Sequence, residues 1–284
     1  MKDLKLIGYL GPKATFSEQA VKTFFPNSTR KSYDTIPSCI DAAEEDQVDA
    51  AVVPLENTIE GSVNLTLDYL IHEQPLQIVG EVTVPIQQHL MVHPNHADDW
   101  TSLEKVYSHP HAIAQCHKFL HQTCPEAKIE YVTSTAAAAE YVSQNSERPV
   151  AAIANELAAK EYGLIIVKRD IHDFDNNHTR FVVLHKADHQ LIVDGLENKG
   201  YKTTLMITLP SDQAGALHQV LSAFAWRKLN LSKIESRPMK TGLGNYFFII
   251  DIEQQMDEVL IPSAIAELEA LGCSVKVLGS YPYF

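Results

Sequence analysis

The stretch Ala50-Ala-Val-Val-Pro-Leu-Glu-Asn-Thr-Ile-Glu-Gly-Ser-Val-Asn-Leu-Thr-Leu-Asp-Tyr-Leu70 decides the class of fold. Ala50–Val53 is a short unbroken apolar run, the pattern of a strand buried on both faces. Pro54 ends the run, a polar loop with Gly61 follows, and Val63–Leu70 reads as a helix. A buried strand passing through a loop into a helix is the unit of a parallel α/β sheet. Loops at the carboxyl ends of such strands are where these sheets bind ligands. Between Val53 and Val63 the loop carries two carboxylates (Glu56, Glu60), an amide (Asn57) and two hydroxyls (Thr58, Ser62). The same residue types serve as caps and turns, so a plain connecting loop is the competing reading.

The alternation continues on both sides. Leu4–Leu10 is a strand and Thr15–Phe25 a helix, opened by Thr15-x-x-Glu18, a capping-box spelling. Ile36–Glu45 is helical. Gln77–Val84 and His89–His93 are extended, and Val106–Tyr107 is a strand before a helix from Pro110 to His121. Ile129–Val132 leads to the helix Ser134–Val142, Val150–Ile153 to the helix Asn155–Tyr162, and Phe181–Leu184 is a last strand. The expectation is an α/β region with mostly parallel sheets. Downstream the order changes. Lys202–Leu209, Leu231–Arg237, Tyr246–Glu253 and Ser274–Leu278 read as strands, with helices at Gly215–Lys228 and Asp257–Leu271 and a hairpin loop at Gly242–Asn245. That β-α-β-β-α-β order is the ferredoxin-like plan.

Charge divides the chain in the same place. Residues 1–199 carry 16 basic and 28 acidic side chains, and residues 200–284 carry 7 and 8. The domains expected are 1–186, two α/β lobes with a cleft between them, and 201–284, joined by a polar, glycine-punctuated linker at 187–200. The whole chain of 284 residues has a net charge of −13, which disfavours nucleic acid and anionic membrane as partners. No apolar run reaches the ~20 residues of a membrane span, and no signal peptide is evident. Four cysteines without CxxC spacing are too sparse for a disulfide framework, which points to a reduced, cytoplasmic setting.

Four expected helices begin beside hydroxyls: Thr15, Ser62, Ser108 ahead of Pro110, and Ser134-Thr135. Helix N-termini present N–H groups that suit carboxylates, although Ser and Thr are also ordinary N-caps. Asn176-Asn-His-Thr-Arg-Phe181 puts Thr179 and Arg180 together just before a strand. Arg180 could clamp a carboxylate, and Thr179 could donate or orient a proton. The histidines His109-x-His111 and His117-x-x-x-His121 lack the glutamate of HExxH and any clear ligand set, so no metal site is expected. No Walker loop, GxGxxG or GxSxG is present, and no cofactor is expected.

Over essentially its whole length the sequence resembles the prephenate dehydratase family. The matching stretches are Gly11-Pro-Lys-Ala-Thr-Phe-Ser17, Val53–Val63, Ser108-His-Pro-x-Ala-x-x-Gln115-Cys116, Ser134-Thr-Ala and Asn177-x-Thr-Arg-Phe181. The C-terminal part resembles an ACT regulatory domain, with Gly215-Ala216-Leu217 and Glu235-Ser236-Arg237-Pro238 similar to its phenylalanine-binding motifs. Ala14 stands where the family usually has glycine, and Ala214 where it usually has proline.

The resemblance implies a two-lobe catalytic region like a type II periplasmic binding protein. The implied reaction converts prephenate to phenylpyruvate, water and CO2, in a monofunctional enzyme that needs no cofactor. By the same match, Thr179 assists the leaving hydroxyl. Asn57, Ser108, Gln115, Glu56 and Arg180 support that chemistry, and Thr15, Thr58, Ser134, Thr135 and Phe181 contact substrate. Phenylalanine is the implied effector, and a homodimer or homotetramer the implied assembly. Arogenate dehydratase and a non-catalytic small-acid sensor of the same fold are the alternatives.

Overall fold

The computed structural model describes residues 4–72, 76–186, 193, 195–210, 214–239 and 246–284. Most of the expected linker (187–192 and 194) and the hairpin loop at 242–245 lie outside the described residues. The chain forms two compact units, one of Met1–His72 and Thr83–Phe181, the other of Glu73–Val82 and Val182–Phe284.

The first unit has two lobes. One is built from β1 (Leu6–Leu10), α1 (Phe16–Phe24), β2 (Thr29–Tyr33), α2 (Ile36–Glu44), β3 (Ala50–Asn57), β4 (Gly61–Ser62) and α3 (Asn64–His72). β5 (Gln77–Pro85) then leads to the other: β6 (His89–Val92), β7 (Lys105–Ser108), α4 (Pro110–Gln115), α5 (His117–Thr123), β8 (Lys128–Tyr131), α6 (Thr135–Ser143), β9 (Val150–Ala154), α7 (Glu156–Tyr162) and β10 (Ile165–Lys168). β11 (His178–His185) returns to lie beside β3.

In the first lobe β2, β1 and β3 are parallel, with Ile7 opposite both Arg30 and Ala50. The second sheet has the order β10-β6-β9-β7-β8. Here the expectation of mostly parallel pairing is corrected. β8, β7, β9 and β10 run in one direction, but β6 lies antiparallel between β9 and β10. β6 is reached from β5 without a crossover helix, so nothing turns it parallel to β9.

The run Val150–Ala154 is apolar throughout because both its faces are covered. Val150, Ala152 and Ala154 pack into a core with Ala138 and Ala139 of α6, whereas Ala151 and Ile153 pack with Ile113 of α4 and Leu120 of α5.

Three local features depart from the sequence reading. β2 was not expected, because Thr-Arg-Lys-Ser-Tyr is a polar edge strand with no apolar alternation. The helix expected over Pro110–His121 breaks at Cys116 into α4 and α5. Asp173 splits it, its N–H bonding the Gln115 carbonyl at 2.6 Å and its carboxylate accepting from Lys118 N at 3.3 Å. The helix expected from Asp257 begins at Leu260; Asp257 instead caps it by accepting from Val259 N and Ile261 N.

The second unit contains β12 (Gly200–Thr208), α8 (Ala216–Ala225), β13 (Leu231–Pro238), β14 (Tyr246–Ile252), α9 (Leu260–Ala270) and β15 (Ser274–Tyr283). The order β13-β14-β12-β15, antiparallel throughout, is the ferredoxin-like sheet. Leu205, Ile207, Ile250 and Ile252 form its core with Val220, Phe224, Ala264 and Leu268 of the two helices. β15 continues five residues beyond the expected Leu278 and meets β5, pairing Tyr283 with Glu81. Gly279 permits this approach, since a Cβ there would lie 2.2 Å from the Ile78 carbonyl oxygen. Among the described residues no helix is long and apolar enough to cross a membrane.

Candidate active site

A cavity of about 980 Å³ opens within the first unit. The opening residues of four helices line it: Thr15–Ser17 at α1, Ser62 and Val63 before α3, His109, His111 and Ala112 at α4, and Ser134 and Thr135 at α6. The convergence that sequence spacing could not decide is therefore present. Thr15 and Ser134 cap α1 and α6, accepting from Glu18 N and Ala137 N. The first N–H groups of each helix have no intrahelical acceptor, and the helix dipoles make this wall partly positive.

Ala14, in the position where glycine was noted as usual, has a φ of +63° and is fully buried. Its N–H donates to Glu18 at 2.6 Å, and its carbonyl accepts from Asn155 of the second lobe at 3.1 Å. Burial alone would raise the Glu18 pKa; the Ala14 N–H together with Lys22 and Arg30 more than offset it and hold the carboxylate low.

At the centre lies a chain of three amides whose polarity is forced. Asn57 Oδ1 accepts from the backbone N–H groups of Ile59 and Glu60, both at 3.0 Å. Its Nδ2 must therefore donate, and it lies 2.9 Å from Thr179 Oγ1 and 2.9 Å from Asn177 Oδ1. Asn177 in turn donates through Nδ2 to Gln115 Oε1 at 2.9 Å. Thr179 thus accepts from Asn57 and keeps its own proton for the cavity, and Gln115 keeps its Nε2 as a donor. Both residues line the cavity.

Seven of the site residues expected from sequence lie on this wall: Asn57, Thr179, Gln115, Thr15, Ser134, Thr135 and Phe181. Four do not. Arg180 follows Thr179 in β11, and successive strand side chains point to opposite faces. Its Nη1 instead pairs with Glu56 Oε2 at 2.6 Å, so neither forms part of the lining. Ser108 is fully buried, and its hydroxyl donates to the Ile153 carbonyl at 2.7 Å, tying β7 to β9. Thr58 bonds the backbone of His178, donating to its oxygen and accepting from its nitrogen. Arg180, Ser108 and Thr58 therefore stand behind the wall, where the sequence reading put them toward substrate, and Glu56 stands there beside Arg180.

The sequence reading does not single out Gln88, names Asn177 and Glu60 only within their loops, and weighs His109 and His111 only as metal ligands. Asn177 could have been found, since it shares the Thr179 and Phe181 face by strand alternation. His109 caps α4 through Nδ1, which accepts from His111 N, and burial with the neighbouring His111 holds its pKa below the usual imidazole value. His111 lies 3.6 Å from Glu60, linking the two lobes at the cavity. None of the described lining residues is lysine or arginine. Among the described residues no three His, Cys, Asp or Glu side chains converge as metal ligands would.

In the second unit, Gly215 precedes α8 with a φ of +87°, a conformation suited to glycine, and Ala216 and Leu217 open the helix. Glu235 sits on β13 between Lys233 and Arg237, each 3.1 Å from its carboxylate, while Ser236 and Pro238 lie on the opposite face. An ammonium group at Glu235 would have to share it with those two cations.

The family model for prephenate dehydratase matches residues 7–189, and that for the ACT domain residues 203–272. The chain is 60% identical to the prephenate dehydratase of Bacillus subtilis (strain 168) over 97% of this chain and 98% of that one. It is 40% identical to the enzyme of the same name from Lactococcus lactis strain IL1403, over 98% of both chains. A solved prephenate dehydratase from Arthrobacter aurescens in complex with L-Phe superposes with a TM-score of 0.85 at 33% identity, covering 97% of this chain and 89% of that one. With both family models matched in order and this identity sustained across nearly its full length, the chain belongs to the prephenate dehydratase family and carries an ACT domain.

Proposed function

We infer that the chain converts prephenate to phenylpyruvate, water and CO2 in the first unit and takes phenylalanine as an effector at its ACT domain. The observation that carries the first part is the forced polarity from Ile59 and Glu60 through Asn57 to Thr179. In the reaction the ring carboxylate leaves as CO2, and its bonding pair moves into the ring. The carbon–oxygen bond at the far ring carbon then breaks, with its pair going to oxygen. That oxygen takes a proton and departs as water, and the ring becomes aromatic. The barrier lies in the poor leaving group. Thr179 Oγ–H points its proton at the departing oxygen, and Asn57 stabilises charge left on the Thr179 oxygen.

Prephenate is a dianion, and its charge is balanced by the helix N-termini and by the Gln115 amide. Arg180 acts as a positioning residue, holding β11 against Glu56 behind Thr179. The missing cationic clamp also suits carboxylate loss, since a carboxylate held in a strong ion pair resists leaving as CO2.

For the effector, the N–H groups at Gly215–Leu217 would take the carboxylate of phenylalanine. Assembly as a homodimer or homotetramer is supported by apolar surface on the ACT domain, where Trp226 is 82% exposed and Val259 67%. A reduced, cytoplasmic compartment fits free cysteines of which Cys39, Cys116 and Cys124 are buried.

Incubating the purified protein with prephenate and following phenylpyruvate absorbance in alkali tests the activity. The ratio of kcat/KM on prephenate to that on arogenate tests the substrate. No phenylpyruvate at any protein concentration overturns the reading.

A further inference from the structure

Gln88 stands between β5 and β6 on the cavity wall. Only 3% of it is exposed. Its backbone is fixed on both sides: the N–H reaches His172 Nδ1 at 3.5 Å, and the carbonyl accepts from Ile171 N at 2.9 Å. Its side-chain Oε1 is buried and has no hydrogen-bond partner among the described residues. Buried acceptors are almost always paired, so an unpaired one on a residue that lines a binding cavity points to a ligand group. A methionine or leucine would fill the same space without that cost.

An acceptor requires a donor, and prephenate at neutral pH has a single one. Its two carboxylates and its ketone only accept; its ring hydroxyl alone can give a hydrogen bond. We propose that Gln88 Oε1 accepts the hydrogen of the ring hydroxyl, the group that leaves in the reaction. This assignment rests on the prephenate reading above. With its hydrogen turned toward Gln88, the hydroxyl oxygen presents its lone pairs to the Thr179 proton. When the carbon–oxygen bond breaks, that oxygen keeps the bonding pair, takes the proton and departs as water. Phenylpyruvate lacks the hydroxyl, so the contact exists for substrate and is gone for product. Gln88 thereby separates the two ligands in affinity, which a purely structural side chain would not do.

The test uses the full-length protein with Gln88→Met and Gln88→Leu, two apolar replacements of similar size. Wild-type turnover of prephenate is measured first and stands or falls with the dehydratase reading alone; without turnover the Gln88 assignment falls as well. Steady-state kinetics on prephenate are then compared with the inhibition constant of phenylpyruvate as product inhibitor. Both variants are expected to lose about 10-fold or more in kcat/KM, the loss for one buried hydrogen bond. Phenylpyruvate inhibition should stay within about twofold, and the unfolding midpoint should not drop. Unchanged kcat/KM overturns the assignment, as does equal weakening of prephenate and phenylpyruvate. A loss seen with arogenate alone also overturns it, because the acceptor would then serve the ammonium group.

Discussion

Asn57 donates to Thr179 across 2.9 Å, and the reverse direction is closed because the other end of the Asn57 amide is held by two backbone N–H groups. The geometry that makes Thr179 a proton donor thus begins in the turn at residues 57–60, not in Thr179 itself. Asn57→Asp tests this with almost no change of shape. The carboxylate still accepts from Ile59 and Glu60, so the turn survives, but its second oxygen now takes the Thr179 proton. We expect kcat to fall about 10²- to 10⁴-fold, with a lower unfolding midpoint because that oxygen also meets Asn177 Oδ1 and the His178 carbonyl. Steady-state kinetics beside thermal denaturation check it, and near-normal turnover would show that the polarity is irrelevant.

Thr179→Val removes the hydroxyl at constant shape and should lower kcat by a similar factor with little change in substrate affinity. Thr179→Ser keeps the hydroxyl and loses one methyl group, so it should retain much of the activity. Equal loss in both variants would mean that packing of the methyl, rather than the proton, is what matters.

The Arg180–Glu56 pair joins β11 to β3 at 2.6 Å with both side chains mostly buried. Arg180→Lys cannot keep the same fork geometry, and Glu56→Gln leaves the guanidinium without its counter-charge. Each should cost about 1–3 kcal/mol in urea unfolding, and the double variant should cost less than the sum. A change confined to KM, with additive stabilities, would restore a direct carboxylate contact for Arg180.

Acid should destabilise the fold through His89. Its Nδ1 accepts from Asp170 N at 3.0 Å, and burial holds its pKa below about 6.5, with Asp170 and Glu156 opposing and Arg169 and His172 assisting. The unfolded chain therefore binds the proton that the folded chain refuses, so stability present above the unfolded pKa is lost as pH falls below it. His109 adds in the same sense. The urea midpoint should drop between about pH 7 and 5, and His89→Gln should flatten that slope. An unaltered slope in the variant would exclude His89 as the titrating group.

Much of this was legible from residue order. The strand–loop–helix at residues 50–70 supplies Asn57, Glu60, Ser62 and Val63 of the cavity wall, and the order of strands and helices after residue 200 identified the ferredoxin-like unit. What escaped were relations that depend on pairing. The antiparallel setting of β6 follows from how the chain enters the second lobe, and the break at Cys116 is imposed by Asp173, 57 residues further along the chain. Strand alternation from Thr179 would have turned Arg180 away from the cavity and put Asn177 on the Thr179 side, where it joins Asn57 to Gln115. The grouping of Thr179 and Arg180 by sequence adjacency concealed that period of two.

The cavity's attraction for anions comes from the ends of helices, and this determines how the enzyme meets its substrate in solution. A chain of net charge −13 repels a dianion over distances at which small ions screen, about 10 Å at 0.1 M. The helix-end fields act only within the last few ångströms, where few ions intervene. Raising the ionic strength therefore removes the opposing field and leaves the favourable one, so substrate capture should quicken with added salt. An enzyme that gathers anions with a basic rim slows under the same treatment. Backbone dipoles also carry no ionisable proton, so the helix-end part of this grip does not itself titrate.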